Sequence, residues 1–478
     1  MLPLSSRKQK ILELANQLAG TRSHWIEKNR YYYQQDYQFM RFLVPEGARV
    51  LDLGCGTGRL LAELRPSQGV GVDFSPAMIE EAQRTYPQYQ FHVADVEDDN
   101  ALTVIEGTFD YIILSDTIGS LEDCQRTFST LHKFCNGQTR VVVAYYDQIW
   151  GPVLRLAEKL GFKMPQEEQN WLETGDIVNI LHLADFDVVK QEWRQLIPRS
   201  LFGLGSIINK YVAPFPGVRR LCLRNYVVAR SSLLIERQEF SVSVVIPARN
   251  EKGNIEAAVQ RLPKFGTRQE VVFVEGHSQD GTLEEMYRVR DRYPSMDIKV
   301  TTQDGRGKGD AVRKGFSMAS GDILMILDAD LTMPPEDLPK FYDAIASGKG
   351  EFINGSRLVY PMEEGAMRFL NHMANEVFSW LFSWLLNQRF TDTLCGTKVL
   401  TKTNYEGIAA NRKYFGDFDP FGDFDLIFGA AKLNLKVTEI PIRYASRIYG
   451  ETQISRFRHG WLLLKMVAFA FRKLKALS

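Results

Sequence analysis

The stretch Asp322-Ile-Leu-Met-Ile-Leu-Asp-Ala-Asp-Leu-Thr-Met-Pro-Pro335 decides the fold. Its uninterrupted apolar run, Ile323 to Leu327, has strand length and no polar alternation, which predicts a parallel strand buried on both faces. The run ends in two carboxylates, Asp328 and Asp330, before Pro334 and Pro335 stop it. In an open α/β sheet, ligands gather at the carboxyl ends of the strands. Two hard oxygen ligands one residue apart at such an end suit a divalent cation that also holds a diphosphate.

Working outward, Val242-Ser-Val-Val-Ile-Pro-Ala-Arg-Asn-Glu251 reads as another buried strand, broken by Pro247 and followed by a helix over Asn254–Leu262. Glu270-Val-Val-Phe-Val-Glu275 is a third strand, ending in the polar turn Gly276–Thr282 that opens a further helix. Gln303-Asp-Gly-Arg-Gly-Lys-Gly-Asp310 is a glycine-spaced basic loop entering a helix, suited to the phosphate side of a ligand.

This order resembles the family 2 glycosyltransferases of the GT-A fold over most of residues 241–455. The resemblance implies a nucleotide-sugar donor held by Pro247, Ala248, Asn250, Glu251, Glu275 and Lys308. It implies Mg²⁺ or Mn²⁺ on Asp328 and Asp330, and an inverting transfer. Glu275 stands where the family more often has Asp, and Gly276 where many members have a second Asp. Two later segments are similar to polyprenyl-phosphate sugar transferases: Thr391-Asp-Thr-Leu-Cys-Gly-Thr-Lys-Val399 and Glu439-Ile-Pro-Ile-Arg-Tyr-Ala-Ser-Arg-Ile-Tyr-Gly-Glu-Thr-Gln-Ile454. There Arg447 matches an arginine that meets phosphate, Gln453 replaces the usual lysine and Thr332 a common glutamine. Asp423, in Asp423-Phe-Asp-Leu426, resembles the family's general base, which a hydroxyl acceptor needs and a phosphate acceptor does not. Its alternative is an acid at a helix N-terminus.

The first half has its own motif. Arg49-Val-Leu-Asp-Leu53 reads as a strand running into Gly54-Cys-Gly-Thr-Gly58 and a helix. The glycines permit a tight turn and close backbone approach to a ligand. A second strand, Gly69–Asp73, ends in an acid 21 positions after Asp52, placed to hold ribose hydroxyls. The string Val50–Gly58 with Asp73 resembles the class I S-adenosylmethionine-dependent methyltransferases. That resemblance implies a cofactor site of Asp52, Gly54, Gly56, Gly58, Asp73 and Asp95, the last beside the adenine. It assigns the fourth strand to Phe109–Leu114, the fifth to Thr139–Ala144 and a closing pair to Phe186–Val189 and Tyr226–Arg230. Residues 8–43 read as helix. Methyl transfer needs in-line placement and often a base; His132, Tyr145, Tyr146, Asp147 and His182 are candidates, each with a packing role as its alternative. The basic, apolar insert Pro198–Arg224 reads as a lid, an acceptor surface, or a helix over the sheet edge.

At 478 residues the chain exceeds one ordinary core. Lys+Arg and Asp+Glu are both 58, a balance that argues against a general nucleic-acid binder. The five cysteines are scattered without a Cys-x-x-Cys pair, which fits a reducing, cytosolic setting. Met1–Lys10 has no apolar core of signal-peptide length, and no window suits a spanning helix. Two amphipathic stretches, Gly365–Asn387 with Trp380 and Trp384 and Gly460–Leu477 with Trp461, Lys465 and Arg472, suit either an interfacial helix or core packing.

The expectation is two Rossmann-like α/β domains, residues 1–236 and 240–478, joined within Ser231–Phe240. The first is a methyltransferase using S-adenosylmethionine and the second a glycosyltransferase. The second would move sugar from a nucleotide-sugar to a polyprenyl phosphate or related acceptor, peripherally on the cytoplasmic face of a membrane. The alternative for the first is a cofactor-binding module without chemistry.

Overall fold

The computed structural model of the protein describes residues 4–360, 369–415, 422, 424–447, 449 and 456–477. The chain forms two compact units, Met1–Ile235 with Lys475–Ser478, and Glu236–Leu474. Each contains one seven-stranded sheet.

In the first unit the strands are β1 (Arg49–Leu53), β2 (Gln68–Asp73), β3 (Gln90–Val93), β4 (Tyr111–Ser115), β5 (Arg140–Tyr146), β6 (Phe186–Arg194) and β7 (Arg224–Ser231). Their order is β3-β2-β1-β4-β5-β7-β6. β1 to β5 are parallel, and β7 runs antiparallel to both β5 and β6. The strand order reverses beside β1, so the β1 and β4 tips form the crevice. Every residue of β5 and β7 is buried, the mark of strands covered on both faces. Leu51, Val72, Ile112, Leu114, Val143 and Val227 pack in the core. The N-terminal stretch is three helices, Ser6–Leu18, Arg22–Lys28 and Arg30–Leu43, rather than one. Gly20 and Thr21 lie in the tighter turn that separates the first two, where helix propensity is lowest.

In the second unit the strands are β8 (Val242–Ala248), β9 (Gln269–Glu275), β10 (Asp297–Thr302), β11 (Ile323–Ile326), β12 (Phe352–Ser356), β13 (Lys398–Thr401) and β14 (Val437–Pro441). Their order is β10-β9-β8-β11-β13-β12-β14. β11 is buried throughout, as its apolar run predicts. It is parallel to β8 but antiparallel to β13, so the sheet is mixed. Periodicity alone cannot read direction, because a strand covered on both faces is apolar in either orientation.

The helices Phe369–Leu386 and Arg456–Ala470 pack in part against their own unit and leave other apolar residues exposed. Trp384 is buried with its ring 5.8 Å from Phe471, and Met466 and Ala470 are buried. Val377, Trp380, Trp461 and Leu464 are exposed. Among the described residues, no helix is long and apolar enough to cross a membrane.

Candidate functional site

At the tip of β11 the chain turns sharply, with Leu331 in the left-handed region (φ 53°) and its amide bonded to the Asp328 carbonyl. This turn presents both carboxylates. Asp328 Oδ1 lies 2.7 Å from Lys308 Nζ, at the start of the helix Lys308–Met318. Burial pushes the Asp328 carboxyl up. The Lys308 ammonium, with the added field of Lys398 and Arg357, outweighs this and holds the group below the usual carboxylate range. Asp330 Oδ1 accepts hydrogen bonds from the Thr332 amide (3.1 Å) and hydroxyl (2.8 Å). Asp330 Oδ2 lies 2.6 Å from Arg447 Nη2. Nη1 of the same guanidinium donates to Glu251 Oε1 at 3.2 Å, so Arg447 bridges two acids from different strand tips. The Ala445 amide donates to the Thr332 carbonyl at 2.9 Å and anchors the segment carrying Arg447. Burial raises the Glu251 carboxyl, opposed by Arg447 and by the Asn254 amide at 2.7 Å.

The β8 and β9 loops brace one another. Asn250, at φ 56°, accepts the Gln279 amide on Oδ1 and donates its own amide to Ser278 Oγ. Glu275 is buried, and its carboxylate accepts the Ser278 amide. A Cβ on Gly276 would lie 3.0 Å from that of Arg249, so the close loop packing accounts for glycine there. Pro247 and Ala248 pair with Val274 and Glu275 in the strands beneath.

Spacing in the sequence gave no role to Gly396, Arg357 or Glu439. Gly396 lies directly over the acidic tip: a Cβ there would be 1.9 Å from Asp328 Oδ2 and 2.4 Å from Lys308 Nζ. Arg357 makes a two-pronged contact with the fully buried Asp392, at 2.6 and 2.8 Å. Glu439 accepts the Thr391 amide and hydroxyl, both within 2.9 Å. The signal was the acid–glycine segment Thr391–Val399, whose partners lie far off in the chain. Asp423 and Gln453 lie outside the described residues. Asp425, two positions on from Asp423, lies 3.4 Å from Arg412.

Among the described residues, no group of three or more His, Cys, Asp or Glu side chains converges to cage a metal. Asp328 and Asp330 offer hard carboxylate oxygens beside two cationic groups, a donor set that fits Mg²⁺ or Mn²⁺ sharing its remaining positions with a diphosphate.

In the first unit, Gly54, Gly56 and Gly58 all have positive φ (79°, 53° and 73°). A Cβ on Gly54 would meet Thr117 Oγ1 at 2.3 Å. Asp73 accepts the Gly56 and Ser75 amides, each at 2.9 Å, tying the glycine loop to the β2 tip. Beside it lies an open cleft, lined by Gly54, Gly56, Asp73, Asp95 and the helix Ser6–Leu18. Lys8 on that helix is ion-paired to Asp95 (2.5 Å) and Glu97 (2.6 Å). Asp52 is buried with Oδ2 lacking a hydrogen-bond partner, and burial, helped by neighbouring Asp73, pushes its carboxyl up to about 7. The glycine cradle and the acid at the β2 tip fit S-adenosylmethionine.

Of the expected base candidates, His132, Tyr145 and Tyr146 are engaged in packing contacts. The His132 ring stacks on Phe186 at 4.2 Å, with its nitrogens bonded to Ser231 and to the Ala184 carbonyl. The Tyr145 hydroxyl donates to the Asn170 carbonyl, Asp147 caps the turn at Ile149, and His182 is exposed. Tyr146 is buried with Arg224 over its ring. None of the five lines the cleft; Arg22, Ser115 and Asp116 do. Asp116, at φ 63°, pairs with the buried Arg224, which also holds Asp36.

Residues 243–415 match the family model described as glycosyl transferase family 2, and residues 25–191 match that of a methyltransferase domain. The chain is similar to a dolichol-phosphate mannosyltransferase of Pyrococcus furiosus, at 30% identity over 47% of this chain and 64% of the relative. It is also similar to the Saccharomyces cerevisiae enzyme of that name, at 39% identity over 22% of this chain and 40% of the relative. An undecaprenyl-phosphate 4-deoxy-4-formamido-L-arabinose transferase of Pseudomonas aeruginosa is 27% identical over 47% of this chain and 64% of its own length. The chain thus covers less than two thirds of each of these three relatives. Among solved structures, a Thermotoga maritima SAM-dependent methyltransferase aligns at 17% identity and TM-score 0.36, covering 46% of this chain and 99% of that one. A Mycobacterium tuberculosis glucosyl-3-phosphoglycerate synthase, in complex with Mn²⁺ and UDP, aligns at 16% identity and TM-score 0.36, covering 49% and 80%.

Proposed function

We propose that this chain, which carries a methyltransferase domain and a family 2 glycosyltransferase domain, is a bifunctional enzyme. The second domain transfers sugar, with inversion, from a nucleotide-sugar to a polyprenyl phosphate or related acceptor at a membrane surface on the cytoplasmic side. The observation carrying this reading is the convergence of Asp328, Asp330, Lys308, Glu251 and Arg447 at one sheet crevice. The relatives' printed names support the acceptor class. The domains divide at residues 236–240, and no nucleic acid is involved.

Asp328 and Asp330 would hold Mg²⁺ or Mn²⁺, whose charge offsets that developing on the departing diphosphate. Lys308, at a helix start, binds a donor phosphate oxygen. Arg447 holds Asp330 in place and brings to the site a guanidinium, a group suited to pairing with phosphate. Asn250, Glu251 and Glu275, with Pro247 and Ala248 beneath, form the nucleotide-side wall. An acceptor phosphate is already anionic and needs no base; a hydroxyl acceptor would call on Asp423.

In the first domain, S-adenosylmethionine would supply an electrophilic methyl group. The loop Gly54–Gly58 lets the backbone approach it, Asp73 takes the ribose, and Asp95 and Asp52 complete the site. A second reading, binding without chemistry, is favoured by the absence of all five base candidates from the cleft lining.

A thermal-shift screen of nucleotide-sugars with and without Mn²⁺ tests the main reading, because a ligand that binds the native state raises the midpoint. Asp328→Ala and Asp330→Ala should abolish the metal-dependent response; turnover unchanged in both would refute the assignment.

A further inference from the structure

The first unit carries an exposed apolar surface that neither proposed reaction uses. It is built from two segments. One is the helix Gly151–Lys159 with its flanks, where Ile149, Val153, Leu156, Leu160 and Phe162 are exposed. The other is residues 199–221, where Leu201, Phe202, Leu204, Ile207, Tyr211 and Phe215 are exposed. The segments lie side by side. The Arg199 guanidinium sits 5.7 Å from the Phe162 ring centre, and Trp150 Nε1 donates to the Leu221 carbonyl at 2.9 Å.

Shape and charge identify the occupant. Leu201 and Phe202 both have left-handed backbones (φ 46° and 55°), and Phe202 stands wholly clear of the surface. The turn is built for this: Ser200 accepts the Gly203 amide, and Gly205 packs against the Arg199 carbonyl where a Cβ would clash. Strain spent to hold an aromatic ring in solvent points to a role outside the fold. The apolar side chains are exposed, as insertion requires. Residues 199–221 hold Arg199, Lys210, Arg219 and Arg220 and no acid at all. The neighbouring helix holds Arg155, Lys159 and a single acid, Glu158, which is paired with Lys163. Basic side chains among exposed aromatic and aliphatic ones match the headgroup layer of an anionic bilayer: rings and methyls enter the acyl boundary while cations meet lipid phosphate.

We propose that residues 149–162 and 199–221 form a docking face for an anionic lipid bilayer. The face adjoins the cofactor cleft, since Met164 and Pro165, just beyond Phe162, line that cleft. Docking therefore brings the cleft mouth to the membrane, where a lipid-borne methyl acceptor would be found. The docking itself does not depend on either proposed reaction.

The test is co-sedimentation of the full chain with vesicles of phosphatidylcholine alone or with about one third phosphatidylglycerol. The wild type should prefer the anionic vesicles and be released by salt. The triple change Leu201→Ser, Phe202→Ser, Ile207→Ser should weaken partitioning at least about tenfold. So should the pair Arg199→Glu, Lys210→Glu, with S-adenosylmethionine affinity by calorimetry unchanged in both. If the serine variant loses its thermal midpoint, the charge pair decides. Wild-type binding by the charge pair places any membrane contact elsewhere and overturns the proposal. Failure of the wild type to sediment overturns it too. So does a dimer that the variants dissociate without altering vesicle binding, which would make the face an interface between copies.

Discussion

Replacing Gly396 by alanine adds one methyl group over the acidic tip of β11. The backbone accepts it, because Gly396 is not in the left-handed region. The methyl would lie 1.9 Å from Asp328 Oδ2 and 2.4 Å from Lys308 Nζ. Ordinary C···O contact begins near 3.3 Å, so the carboxylate must retreat by about 1.4 Å. The obstructing atoms, Asp328 Oδ2 and Cγ and Lys308 Nζ, all belong to side chains, which can swing away, and alanine also restricts the unfolded chain. The fold should therefore change by no more than about 1 kcal/mol, or a few degrees in Tm. Catalysis should not be spared. A displacement of about 1 Å at reacting groups costs on the order of 10²-fold, close to 2.7 kcal/mol of transition-state stabilisation. The assay pairs Mn²⁺-dependent sugar transfer with a thermal scan. Normal Tm with about a hundredfold slower transfer supports the geometry. Transfer within about threefold of wild type would show that Asp328 and Lys308 need not stand where the structure puts them, and the reasoning about the tip would fail.

Arg447→Ala leaves Glu251 and Asp330 without their shared cation. Glu251 already titrates high, so its native form keeps a proton that the unfolded chain loses, and stability falls as pH rises through that window. The loss of Arg447 should widen the window and cost on the order of 1–3 kcal/mol near pH 8 but little near pH 4, measured by urea unfolding. Asp52→Asn removes a buried carboxyl pushed up to about 7. The native state holds that proton between about pH 4 and 7 while the unfolded chain does not, so the wild type loses stability across that range and levels off above it. The variant should lack that slope and gain up to about 4 kcal/mol at pH 8 relative to pH 4; parallel pH profiles would contradict the burial argument. Gly54→Ala meets Thr117 and a φ of 79°, so cofactor affinity by calorimetry should fall at least about tenfold with the second unit's Mn²⁺ response intact.

The apolar run Ile323–Leu327, the glycine string Gly54–Gly58 and the acids closing their strands were legible in the sequence. Each is a local pattern whose physics is local: uniform burial, positive φ, and a charge at a strand tip. The two domain families followed from those motifs through resemblance. Other features required the tertiary structure. The direction of β13 against β11 is invisible to hydrophobic pattern, since both orientations bury the same side chains. The Arg447 bridge joins positions 251, 330 and 447, and the Gly396 contact depends on which loop crosses the tip. The partners of the base candidates His132 and Tyr145 were hidden for the same reason. Whether a polar side chain reacts or merely packs is set by the neighbours that long-range folding brings within about 3 Å of it. A linear chain carries no record of those distances.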